Sequence, residues 1–141
     1  MNELEALIEA GTVLRAEADR EAAGRDLLAA AAHLGSAEGM AGSDPTGGFV
    51  LVYDATRKAI TAHMRASGFR VRKGPGEHER VGKYASAALD RAIADHLDAL
   101  EEMRRLRHQA EYGARLIEAH ELETGLTHAR AIVGSVEAEL R

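Results

Sequence analysis

Between residues 47 and 67 the chain returns an apolar group to the same side every three or four positions. Phe49, Val52, Tyr53, Thr56, Ile60, His63 and Met64 fall within one stripe of a helix advancing about 100° per residue. A stripe that long specifies a helix that must bury one face against other helices. The rest of the chain can supply them. Ala, Leu, Glu and Arg, which dominate the sequence, are strong helix formers. Two prolines in 141 residues leave long segments uninterrupted. No stretch alternates at period two long enough to make a strand, although Arg70-Val71-Arg72 looks extended. The expected fold class is therefore all-α, a single helical bundle of about five to six helices spanning residues 1–141 as one domain. With two Phe, three Tyr and no Trp, its core must be filled mainly by aliphatic groups.

The other elements follow from apolar spacing and from breakers. Leu4, Leu7, Ile8 and Leu14 predict an amphipathic helix over 2–19. Asp19 to Leu34 predicts a second, in which Ala29 to Ala32 permit close helix contact. Gly35-Ser36 and the glycine-rich stretch 39–48 predict a break, and Ser43-Asp44-Pro45 a new helix start. Val50 and Leu51 lie off the stripe of that third helix, and Gly68 ends it. A basic loop, 69–77, follows and is long for a helix–helix connection; longer connections more often carry function. A short helix is predicted over 77–88 and a long one over 89–112, with the stripe Leu89, Ile93, Leu97, Leu100 and Met103. After Gly113 a last helix runs from about 115 to 139, with Leu122, Leu126, Ala129, Val133, Val136 and Leu140 on one face.

Composition narrows the function classes. No run of about 18 apolar residues exists, so no membrane span is expected. The first residues are acidic where an export signal is basic, and there is no cysteine, so a cytoplasmic location is expected. No metal site is expected: His120 and Glu123 share a helix face, but two ligands do not make a site, and no HExxH pattern occurs. No cofactor is expected either, since the glycines at 74 and 76 are not followed by the Lys-Ser/Thr of a phosphate loop. Net charge is −5 but unevenly spread. Residues 1–56 carry three Arg against ten acids (−7), residues 57–83 eight basic groups against two acids (+6), and residues 84–141 seven Arg against eleven acids (−4). Such a chain either holds a phosphate backbone locally or merely solvates a basic loop.

The stripe of the long helix does not stay apolar. Arg104 and Arg107 continue it seven residues after Leu97 and Leu100, and Glu111 lies one turn beyond Arg107. A guanidinium on a packed face is costly unless paired, and Glu111 at i,i+4 offers the pair. Two readings stay open: an ion pair that sets register within the bundle or a dimer interface, and an anion-binding centre. His63, on a packed stripe, reads as a satisfied core histidine, and His78 either packs or meets a phosphate after the basic loop.

Two stretches resemble the HEPN family of toxin–antitoxin and antiviral-defence proteins. They are Tyr53-Asp54-Ala55-Thr56-Arg57-Lys58-Ala59, followed by the helix ending at Gly68 and then Gly76-Glu77-His78, and Arg107-His108-Gln109-Ala110-Glu111-Tyr112. The resemblance covers roughly residues 15–140. It implies a helical bundle that commonly forms a homodimer. In active members an arginine holds the RNA phosphate and a histidine four to six residues on moves the 2′-hydroxyl proton, without metal. Here Arg107 matches the arginine, but the histidine position is Tyr112, a poor general base near pKa 10. The expectation is thus a binding component that engages a partner nucleotidyltransferase or RNA through Arg104, Arg107, Glu111 and Tyr112, with Arg57, His78 and His120 as further ligand-binding candidates. The alternatives are a metal-independent endoribonuclease using Arg107 with Tyr112, His108 or His120, and a structural helical module without a ligand.

Overall fold

Asp44 opens the central helix by accepting the Gly47 N–H on Oδ1 at 2.9 Å, and Pro45 fills a first-turn position that needs no N–H donor. The helix ends at Gly68, whose φ of 83° is the left-handed cap expected there. In this computed structural model, which describes residues 1–141, that helix is α3 (Pro45–Ser67) of an all-α bundle. The others are α1 (Glu3–Glu9), α2 (Arg20–Glu38), α4 (Glu77–Ala88), α5 (Ala94–Asp98), α6 (Leu100–Tyr112) and α7 (Ala119–Leu140). All seven residues of the sequence stripe on α3 are buried, and α2 and α7 make the main contacts to it. No helix is long and apolar enough to cross a membrane.

The tightest packing joins α3 to α7 through small residues. A Cβ on Gly125 would lie 2.9 Å from Cε2 of Phe49, and one on Gly48 would lie 3.0 Å from Cδ2 of Leu122. The Phe49 ring is fully buried, so it has no room to retreat. The two polar side chains within the core, Thr56 and His63, are partnered. Thr56 donates to the carbonyl of Val52, and His63 holds the Tyr84 hydroxyl at 2.7 Å through Nδ1 and Oε2 of Glu139 at 3.0 Å through Nε2. Burial pushes the Tyr84 phenol up to about 12, so it remains a neutral partner. His63 is a satisfied core histidine.

Four expectations need correction. The helix over 2–19 ends at Glu9, because Gly11 takes φ 77° and turns the chain. Val13 then enters the core, and Leu14–Arg15 pair antiparallel with Phe69–Arg70 as strands β1 and β2, a ribbon too short for any periodicity to announce. The second helix runs through Gly35 and Ser36 to Glu38, since a glycine facing open space costs a helix little more than 0.5–1 kcal/mol. The long helix 89–112 is three pieces: Leu89 is extended, Asp90 caps a 3₁₀ turn (Arg91–Ile93), and α5 and α6 are separated at Ala99. Its stripe is nevertheless packed inward, with Leu89, Ile93, Leu97 and Met103 buried. Finally, α7 starts at Ala119 and not near 115, because Glu118 and Glu121 form a reciprocal capping box there.

The α3–α7 contact predicts opposite effects from two substitutions in one helix. Gly125→Val, which drives a side chain into Phe49, should lower stability by about 1–3 kcal/mol. Gly134→Ala, where a Cβ meets nothing within 4 Å, should raise it by roughly 0.5–1 kcal/mol. Urea denaturation followed by circular dichroism measures both.

Candidate functional site

Arg107 is anchored by two helices at once. Its Nη1 lies 3.3 Å from Oε2 of Glu111 one turn on, and its Nε lies 3.6 Å from Oδ1 of Asp54 on α3. The guanidinium carbon stands 5.6 Å over the Tyr53 ring, a cation–π contact. Its side chain is 26% exposed, and neither Nε of Arg107 nor Oδ1 of Asp54 completes a hydrogen bond despite being buried. The pair therefore acts as a charge contact that ties α6 to α3 and braces Tyr53 from behind.

The other edge of Tyr53 faces a cleft of about 630 Å³ walled by α1, α3, α4, α5 and α6. The Tyr53 hydroxyl meets Nδ1 of His78 at 3.0 Å, joining α3 to the first turn of α4. Arg57, one turn after Tyr53 on α3, and Arg104 on α6 line the same space. Glu101 holds Arg104 in a two-pronged contact, at 2.8 Å from Nη2 and 3.2 Å from Nε. Lys83 pairs with Glu79 at 3.3 Å. Arg57 has no such partner: it is the one cation lining the cleft without a carboxylate or hydrogen-bond acceptor of its own.

Burial raises the Tyr53 phenol above 10, an effect opposed by the positive charges of Arg104, Arg107 and Arg57. Burial also lowers His78 below 6.5, and Arg104 pushes it further down. Near pH 7 both groups are uncharged. The contact between them is then a neutral hydrogen bond, the hydroxyl donating to an unprotonated Nδ1 or accepting from a protonated one. Either way Nε2 of His78 is left to the cleft or to solvent.

The remaining sequence candidates lie elsewhere. His108 and Tyr112 are exposed on α6 and lean on each other with ring centroids 4.9 Å apart; Tyr112 is 74% exposed. His120, in the first turn of α7, pairs with Glu118 at 3.2 Å in solvent. Arg115, five residues before it, is committed to Glu121 at 2.9 Å. Thus Arg57, His78 and Arg104 are brought together, Arg107 and Glu111 adjoin them behind Tyr53, and Tyr112, His108 and His120 stay apart. Part of the basic segment is also spoken for: Arg65 pairs with Asp26, and Arg80 donates to the carbonyls of Arg72 and Pro75 to shape the loop.

Sequence reasoning did not place Tyr53, Asp54 or Glu101 in the site. Tyr53 carries a signal, being the one residue of the α3 stripe with a hydroxyl at the end of a long side chain. Asp54 carries none, because its partner is 53 residues away on another helix. No protein-family model, curated protein or solved structure matches the chain.

The geometry predicts how His78 titrates. Its imidazole should gain a proton below pH 6.5, and Arg104→Gln should move that titration upward, since an adjacent positive charge is removed and Glu101 is released. Side-chain NMR across pH 5–8 reads the direction of the shift. An unchanged titration would show that Arg104 does not reach the ring.

Proposed function

We propose that the chain is a HEPN-like binding component of a toxin–antitoxin or defence system, and that it holds RNA by its phosphates in the Tyr53–His78 cleft. The observation that carries this reading is the convergence of Arg57, Arg104 and Arg107 on one uncharged Tyr–His pair. A protein of net charge −5 repels polyanions over most of its surface. Guanidiniums grouped at one cleft, one of them without an acidic partner, give a phosphate a local place to bind. Next in sequence, Arg70, Arg72 and Lys73 of the basic loop are exposed and free of carboxylates, which supports a longer track for a backbone. The two HEPN-like stretches supply both parts, Tyr53 to Ala59 on α3 and Arg107 to Tyr112 on α6. They also support a nucleotidyltransferase as the protein partner, and a homodimer, to which exposed Tyr112 and Leu116 would offer apolar surface.

A second reading, a metal-independent endoribonuclease, is favoured by one observation: His78 is a neutral imidazole beside two arginines, the pairing that a proton transfer next to a held phosphate requires. It would differ from the family pattern, in which the histidine follows the arginine on one helix.

RNA incubated with the purified protein and EDTA should stay intact while binding with a strong salt dependence. Arg57→Ala should weaken that binding and lower the slope of log K against log salt by about one unit. Cleavage that persists in EDTA and vanishes in His78→Gln, but not in Tyr112→Phe, would replace the binding reading with the nuclease.

A further inference from the structure

Two histidines outside the cleft meet end to end. Nδ1 of His96 on α5 lies 3.0 Å from Nδ1 of His128 on α7, and with the ring centres 5.3 Å apart the two nitrogens point at one another. Both rings are half-buried, and theirs is the one side-chain hydrogen bond that ties α5 to another helix. Little else holds α5. It has five residues and no side-chain cap, and it buries only Leu97. A helix that short does not persist without its neighbours. Leu97 and Asp98 also wall the cleft, so whatever fastens α5 fixes that wall.

Two neutral imidazoles can make this contact in one way: the ring protonated at Nδ1 donates, and the ring protonated at Nε2 accepts on its bare Nδ1. A first added proton enters at the free Nε2 of the donor and leaves the contact in place as a stronger, charged hydrogen bond. A second has only the accepting Nδ1 to enter. It takes the lone pair that held the bond and sets two N–H groups of like charge face to face. The charged groups around the pair are mostly engaged elsewhere. Glu102 of α6, His120 and Glu121 of α7 share a small pocket with His128, to which α3 adds only apolar Phe49. Those three are held by Arg105, Glu118 and Arg115 in turn. The last turn of α4, residues 85–88, carries no titratable group, and Lys83 before it is paired with Glu79. Arg130 of α7 is held by Glu38 of α2, while Asp95 and Asp98 on α5 and Arg91 on the 3₁₀ turn are exposed. Burial first, and then the charge of His96, push His128 below 6.5. A proton is thus resisted while α5 is fastened and accepted once it is free. The hold is complete above pH 6.5 and is lost as the pH falls through the lowered value. From this we infer that His96 and His128 form a proton-operated latch, which fastens α5 to α7 at neutral pH and frees it when the pair takes up a second proton. The latch works whatever the cleft holds.

Histidine NMR and amide hydrogen exchange between about pH 7.5 and 5 test the latch in the intact protein. The two rings should titrate in two coupled steps. Protection factors across residues 94–99 should fall about tenfold or more with the second step, as a one-unit difference in proton affinity between fastened and released states requires. Those of residues 129–136 on α7 should hold. His128→Phe keeps a ring in place without a proton site. Residues 94–99 should then show the same protection at both ends of the range, and His96 should titrate in a single step. His96→Phe asks the same question from α5, with His128 titrating alone. Rings that titrate independently in the native chain, protection of 94–99 unchanged at pH 5, or an acid-induced loss that persists in both Phe variants would each overturn the latch. So would an equal loss over 94–99 and 129–136, since the whole bundle would then be yielding and not α5.

Discussion

The whole arrangement depends on how closely α7 can approach α3. Where Gly125 lacks a side chain the Phe49 ring lies against the helix itself, and Gly48 admits Leu122 in the same way. With Ala-rich α2 on its other side, α3 is enclosed along most of its length by thin partners. This is why a chain with few aromatic residues still builds a core: small residues bring the helix axes together, and medium-sized aliphatic groups fill what remains. It also makes α3 the rigid element. Tyr53, Asp54 and Arg57 project from a helix that cannot easily shift, so their spacing is set by the core and not by the ligand.

The charge distribution makes sense only against that frame. The +6 of residues 57–83 is not one uniform surface. Arg65 and Lys83 are paired with acids, and Arg80 is spent on loop carbonyls. What is left unneutralised is narrower: Arg57 inside the cleft, half-buried Lys58 beside it on α3, and the exposed side chains of the loop. Arg107 shows the converse. Held between Asp54 and Glu111 under a tyrosine ring, it carries charge that helps to neutralise its neighbours and depress His78, and its own role is to join two helices.

Much of the fold is legible in the sequence, and the reasons for the failures are local. The α3 stripe, the Gly68 cap, the Asp44-Pro45 start and the inward face of α7 are read correctly, because each is a strong periodic or capping signal. The errors fall where one residue's backbone conformation outranks periodicity. Gly11 turns left-handed and Leu89 becomes extended. Leu116 is apolar but 80% exposed, so the start of α7 follows its capping box and not its hydrophobic pattern. Of the site, the held position of Arg107 is legible because a charge on a packed stripe demands a partner. The Tyr53–His78 contact is not, since it crosses 25 residues and depends on where the β1–β2 ribbon and the basic loop deliver α4.

The two sides of the cleft differ in how firmly they are held. Its cationic end stands on α3, whose inner face is solvent-free. Its far wall includes α1, a helix of seven residues with none buried, packed chiefly on α4 and joined onward through the left-handed Gly11. A segment with so little interred surface detaches in sub-global fluctuations well before the bundle melts. Amide protons of residues 3–9 would then exchange with solvent long before those of 52–60, and the span of the cleft would fluctuate while its electrostatics stayed fixed.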